Sequence, residues 1–242
     1  MLKPGGHPIG LQKWYDRLTP LVETARKRLE RVQPSQLIQR SGCTLAPDGT
    51  YRLCFFWQDY AIHRSDFSVR HAKGGQETTS FIQALLLTYL NSADGTPPSG
   101  RWIAYRELPD GMFYANAFRG YAENRLVHDL NAVGGLERFR QAAMQLDGRA
   151  IDIGDAGYAF QVLPRIHLAA IYWDGDEDFD AQASILFEDS AIHYMSTDGL
   201  AVLGTHLVNA IVRTAQEAGI CQTPSSKRKP TTGKVQDNPI TK

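Results

Sequence analysis

Residues 154–194 read GDAGYAFQVLPRIHLAAIYWDGDEDFDAQASILFEDSAIHY. Two largely apolar stretches flank Pro164-Arg165. Proline fixes its own φ and donates no hydrogen bond, so it marks a corner between two strands rather than the middle of one. The stretch therefore predicts strand, tight corner, strand, acidic loop, strand and a short helical turn. Strands joined by so short a link run antiparallel.

The same region polarises the charge. From Ile166 to Val212 there is no Lys or Arg, against Asp174, Asp176, Glu177, Asp178, Asp180, Glu188, Asp189 and Asp198. The whole chain is formally neutral, so this acidic block is balanced by basic residues on either side of it. Such asymmetry bears on surface field and partners rather than on fold. It reads either as a solvated acidic loop or as a site for a cation or a basic partner.

Working outward, 242 residues with 43% hydrophobic content suffice for one ordinary core. No apolar run reaches membrane-spanning length, and the N-terminus MLKPGGHPIGLQKW has no apolar signal core. The expectation is a soluble cytoplasmic protein without a membrane span. Cys43, Cys54 and Cys221 are far apart and form no CxxC, so a zinc ribbon or four-cysteine cluster does not fit. The neutral balance gives no electrostatic footprint for nucleic acid.

Periodicity predicts the remaining elements. Trp14, Leu18, Leu21, Val22, Ala25 and Leu29 recur at helical spacing over about Leu11–Val32. Pro34 should break that helix and open a connector. Strands are expected over Tyr51–Trp57 and about Tyr60–Val69, then a helix over Thr78–Asn91 whose broad apolar arc places it centrally. A short strand at Trp102–Tyr105 and a turn at Pro109-Asp110-Gly111 precede helices over Tyr114–His128 and Leu136–Leu146. Ser196 or Thr197 caps a last helix ending at Gly219. Residues 1–10 read as a mobile leader, residues 11–220 as a single α+β domain, and residues 221–242 as a disordered tail. Irregular alternation of strands and helices with short links favours a mainly antiparallel sheet packed with several helices.

Two segments carry a resemblance. The patterns ADGxPPSGxW and RELPxG, followed by LPR, WDGDEDF and ILFEDSA, resemble the bacterial and archaeal family known as domain of unknown function 3786, over roughly Thr78–Val212 with the preceding strands as a candidate extension. The resemblance implies one intact domain and brings no assigned chemistry. Some anaerobe members add a cysteine-rich iron–sulfur segment. This chain lacks those cysteines, so no cluster carries over.

Three constellations are candidates for function. Arg106-Glu107 beside Trp102, and Arg165 at the strand corner with Asp155 and Trp173 near it, combine cations able to grip an anion with aromatic surface. If the Trp102–Gly111 and Pro164–Asp176 segments face each other, these six residues form one site; the alternative is internal ion pairs bracing loops. The acidic loop offers Asp174, Asp176 and Glu177 as hard oxygen ligands, with His193 and Asp155 as further candidates. An EF-hand register from Asp174 fails, because it places Phe179 where glycine is required and Ile185 where glutamate is required. No GxSxG, Walker loop, HExxH or dinucleotide fingerprint is present. The leading expectation is an accessory or binding protein for an anionic cofactor-like ligand or a partner protein. The alternatives are a metal-assisted hydrolase using the acidic loop, and a structural interaction module.

Overall fold

The computed structural model describes residues 18–220. The expected leader, the tail and the first turns of the N-terminal helix lie outside these residues. Helix α1 (Leu18–Leu29) buries Val22, Ala25 and Leu29, which share one face at helical spacing. That face lies on α3 (Ser80–Ser92). Pro34 does end the preceding turn, but a helix follows it rather than a connector: α2 runs over Pro34–Ser41 with Pro34 in its first turn. A proline is well placed there, since a first-turn N–H has no intrahelical partner to lose. Gly42 stops α2 in the left-handed conformation, φ 71°, and returns its N–H to the carbonyl of Ile38.

A four-stranded antiparallel meander follows: β1 (Thr44–Leu45), β2 (Tyr51–Phe55), β3 (Gln58–Ile62) and β4 (Val69–His71). The predicted second strand thus divides into β3 and β4. Tyr51, Leu53 and Phe55 point to the core beside Tyr60 and Ile62, the period-2 face of a half-buried sheet. The β2–β3 turn consists of Phe56 and Trp57, both at positive φ (44° and 64°). Glycine or asparagine usually fills such positions. Here aromatic packing offsets the strain, with Phe56 edge-on to Phe55 and Trp57 edge-on to Phe160.

Thr79 caps α3 by accepting the amide of Ile82. Ala84–Leu87, Tyr89 and Leu90 are all buried, as the broad apolar arc required. After β5 (Trp102–Ala104) and a 3-10 turn at Tyr105–Glu107 comes one continuous helical stretch. It comprises α4 (Gly111–Phe118), a π-helical segment at Arg119–Glu123 and α5 (Asn124–Asn131). Helix α6 (Gly135–Gln145) leads to β6 (Arg149–Ile151), β7 (Ala156–Leu163), β8 (Ile166–Trp173) and β9 (Gln182–Glu188). A 3-10 turn at Asp189–His193 and α7 (Thr197–Ile220) complete the described chain.

The second sheet has the order β5-β9-β8-β7-β6, every pair antiparallel. Pro164-Arg165 forms the β7–β8 corner and residues 174–181 form the acidic loop between β8 and β9, as the opening stretch implied. Phe160, Leu168, Tyr172, Ile185 and Phe187 are buried on the helix-covered side. Gly204 of α7 lies so close that an added Cβ would stand 2.9 Å from Phe118 and 3.4 Å from Ile185. The sheets join where the Phe56 amide donates to the carbonyl of Val162 at 3.1 Å. The fold is α+β with two antiparallel sheets, and buried side chains from both belong to one core cluster.

Candidate functional site

The Pro164-Arg165 corner builds a junction between the sheets. Tyr89, fully buried, donates its hydroxyl to the Ser41 carbonyl and accepts the Arg165 amide at 3.1 Å. Burial pushes the Tyr89 phenol well above its ordinary pKa, so it stays a neutral donor. Gln161 donates to the Pro164 carbonyl at 3.0 Å. Gly42 meets this corner closely: a Cβ there would sit 3.1 Å from Pro164 Cβ and 3.3 Å from Arg165 Nε. Close approach and positive φ both require glycine at this position.

The junction encloses an open cleft of about 280 Å³, bordered by Thr44, Arg52, Cys54, Asp59, Gln161 and Pro164 among others. Arg52 is neutralised by Asp48 at 2.7 Å. The Thr50 hydroxyl and amide, with help from Arg52, hold Asp48 down to about 2. Burial, reinforced by the nearby Asp59 charge, pushes the Cys54 thiol up, so Cys54 is not an activated nucleophile. Arg165 follows Pro164 and packs against Gly42, both of which border the cleft, without itself lining it. Its guanidinium reaches the Gln39 carbonyl at 3.4 Å, a long contact near the C-terminus of α2. Its Nε is buried with no hydrogen-bond partner, and no carboxylate among the described residues pairs with it.

The remaining predicted site residues do not gather round Arg165: Trp102 is level with His167 but two strands away across β9, and Trp173 lies at the far end of β8. Strand β9 lies between β5 and β8, so the Trp102–Gly111 segment cannot face the Pro164–Asp176 hairpin directly. Trp102 is opposite Glu188 and Trp173 is opposite Gln182. That is six residues apart along β9, or about 20 Å. Arg106 is exposed near the buried Glu123. Glu107 turns back to accept the Ala104 amide at 2.7 Å, capping its own 3-10 turn. Asp155 accepts the Asp174 amide at 2.8 Å, close to Trp173, which packs beside Gly154.

The acidic loop uses its carboxylates locally. Asp176 accepts the amides of Asp178 and Phe179 at 2.9 and 2.8 Å, and Asp174 accepts that of Gly175. Glu177 is exposed. His193 is bound to Asp94 at 2.7 Å, on a different element from the loop. Among the described residues no three His, Cys, Asp or Glu side chains converge to hold a metal.

A clamp that sequence reasoning missed lies at the other end of β9. Glu188, 3% exposed, accepts from the Ser99 amide at 2.6 Å, the Ser99 hydroxyl at 3.0 Å and the Gly100 amide at 2.9 Å. Its second oxygen takes the amide and hydroxyl of Ser190. Asp189 joins by sharing the one Ser99 hydroxyl proton with Glu188 and by accepting from Arg101 at 2.9 Å. The Tyr194 hydroxyl donates to the Thr96 carbonyl. The ADGTPPSGRW and ILFEDSAIHY segments are therefore locked to each other, every Glu188 oxygen satisfied. A buried carboxylate so fully engaged holds a loop rather than a substrate. The signal available beforehand was that both segments belong to recognisable patterns.

Glu123 provides a second buried carboxylate. It accepts the Ile185 amide at 3.1 Å, beyond the end of β5, where β9 has no further strand beside it. Burial raises its pKa, and Arg119, 3.8 Å away, only partly offsets that.

A family model described as a domain of unknown function, DUF3786, matches residues 33–210. That span takes in the first sheet as well as the second. No curated protein and no solved structure matches the chain.

Proposed function

Given that the chain belongs to the DUF3786 family, we propose that it is a binding or accessory protein whose ligand seat is the inter-sheet cleft, and that the ligand carries an anionic group directed to Arg165. The supporting observation is a cation without a counter-charge. Arg165 has a buried, unpartnered Nε and no carboxylate partner among the described residues. The C-terminus of α2 supplies only partial negative charge. A half-buried guanidinium such as this one gains most from a bidentate carboxylate or phosphate. The neighbouring cation, Arg52, already has Asp48. Thr44 and Gln161 add hydrogen-bonding groups, and the volume of about 280 Å³ limits the ligand to a small one.

Binding suits this cleft better than catalysis. Its thiol is held protonated and its nearest ion pair is internally balanced. The engaged carboxylates Glu188 and Asp176 serve loops elsewhere. The test is a thermal-shift comparison of wild type and Arg165→Ala with and without a small-molecule extract of the host. Stabilisation of wild type and none of the variant supports the reading. Equal stabilisation of both removes Arg165 from it.

A further inference from the structure

Helix α4 opens with Met112, Phe113 and Tyr114, exposed by 76%, 83% and 60%. Three consecutive large apolar side chains in solvent are uncommon on a monomer. They are held on a fixed platform. The Gly111 amide bonds the Leu108 carbonyl at 2.9 Å, and a Cβ on Gly111 would fall 2.0 Å from the Tyr105 carbonyl oxygen. The Thr197 hydroxyl donates to the Pro109 carbonyl at 2.7 Å. Beneath, Tyr105 stacks on Phe118 with centroids 4.3 Å apart. A backbone fixed in advance lowers the entropy lost on docking.

The outward face continues with exposed Asn116, Ala117, Gly120 and Asn124. A Cβ on Gly120 would meet nothing within 4 Å. Glycine inside a helix costs up to about 1 kcal/mol against alanine, and no neighbour among the described residues requires it here. Phe113, Ala117 and Gly120 follow the i, i+4, i+7 spacing of one helical face. The face is bulky at its N-terminal end and bare at its C-terminal end.

We propose that this face pairs with the same face of a second copy of the chain, antiparallel, about a two-fold axis near Asn116-Ala117. Reversal sets Phe113 of each copy over the space left by Gly120 of the other, so bulk meets absence twice. Each copy's patch then serves as both surfaces, as an isologous contact requires. Charge agrees with this. Asp110 precedes the helix and Arg119 lies towards the bare end, so reversal brings opposite signs to the same end. A lipid surface would have to accept Asp110 and Glu107 beside the patch, and a foreign partner would give no reason for the bare end. The three large side chains contribute on the order of 400 Å² per copy, about half of a standard stable interface. A weak, concentration-dependent dimer is expected.

The test is sedimentation equilibrium of the full chain over a micromolar concentration series. Wild type should rise from the monomer mass towards twice that mass. Phe113→Asp and Gly120→Leu should each raise the dimer dissociation constant at least tenfold, with the melting temperature of the monomer not lowered and, for Gly120→Leu, slightly raised. Gly120→Leu is the sharper variant, since it improves helix propensity and blocks only close approach. In a Cys54→Ser, Cys221→Ser background, Asn116→Cys near the axis should form a covalent dimer under mild oxidation and Asn124→Cys should not. A wild type that stays monomeric throughout overturns the proposal. So does self-association that Gly120→Leu leaves intact, or cross-linking at Asn124→Cys in preference to Asn116→Cys.

Discussion

The carboxylate of Glu188 accepts the backbone N–H of Gly100 at 2.9 Å across 88 residues of sequence. That bond fixes the loop before β5 against the end of β9, and the Ser99 and Ser190 donors saturate the same side chain. Removing one partner from a buried network costs more than the bonds themselves, because the donors left behind stay desolvated.

Glu188→Ala should therefore destabilise the protein by about 3 kcal/mol or more in urea unfolding. Glu188→Gln should cost less, since an amide still accepts but adds donors that find only donors opposite. Loss of under about 1 kcal/mol for the alanine variant would show that water replaces the carboxylate without penalty.

At the corner, Arg165→Ala should change stability by no more than about 1 kcal/mol, because it removes one long hydrogen bond and an unsatisfied Nε. Gly42→Ala should cost about 1–3 kcal/mol from φ +71° and the crowding against Pro164. Denaturant midpoints for the two variants would reverse in order if Arg165 were a brace rather than a ligand contact.

Glu123 couples stability to pH with a definite sign. Its folded pKa is raised by burial, so the folded state holds the proton more tightly than the unfolded state. The stabilising contribution is present at acid pH and is lost as pH rises through the raised folded value. Glu123→Gln keeps an acceptor for the Ile185 amide and removes the charge. It should leave the protein as stable or more stable at neutral pH and remove the gain that Glu123 gives as pH falls, so its melting temperature declines more steeply towards acid pH than that of wild type. Glu123→Ala strands that amide and should cost about 1–3 kcal/mol.

His206 carries the opposite sign. Its ring sits among Phe55, Phe56 and Phe81, and burial lowers its pKa. The unfolded state binds the proton more readily. The contribution is therefore present above the ordinary histidine pKa and is lost as pH falls through that value towards the folded one. His167, also lowered by burial, adds in the same direction. Melting curves of His206→Phe between pH 7 and pH 5, as a span about the reference histidine pKa, should show a shallower decline than wild type.

Local signals made much of the fold legible. The Pro164-Arg165 corner, the apolar arc of α3 and the stripe of α7 follow from proline chemistry and periodicity, and the antiparallel second sheet follows from the short link between its strands. Pro34 was harder, since the residue that ends one helix is equally suited to begin another. Met112, Phe113 and Tyr114 face solvent and break the periodic pattern, so periodicity predicts the helix only from Tyr114 and misses the first turn of α4. Phe56-Trp57 lacks any turn residue, and only its packing against the second sheet reveals why it turns.

The site was legible in part. Arg165 and its proline were visible as a corner, but its distance from Arg106 depends on β9 entering between β5 and β8, which no local pattern announces. The Glu188–Ser99 clamp joins residues 89 apart. The acidic loop looked like a cation site by composition, whereas Asp176 spends its oxygen on the amides of its own turn.

The claim that the inter-sheet cleft binds an anion is tested most directly by amide chemical-shift mapping. The ¹⁵N-labelled full chain is titrated with inorganic phosphate, pyrophosphate and citrate. Saturable shifts centred on Gly42, Thr44, Gln161 and Arg165, absent in Arg165→Ala, are the expected result. Shifts confined to other surfaces, or none at all with any of the three anions, would contradict it.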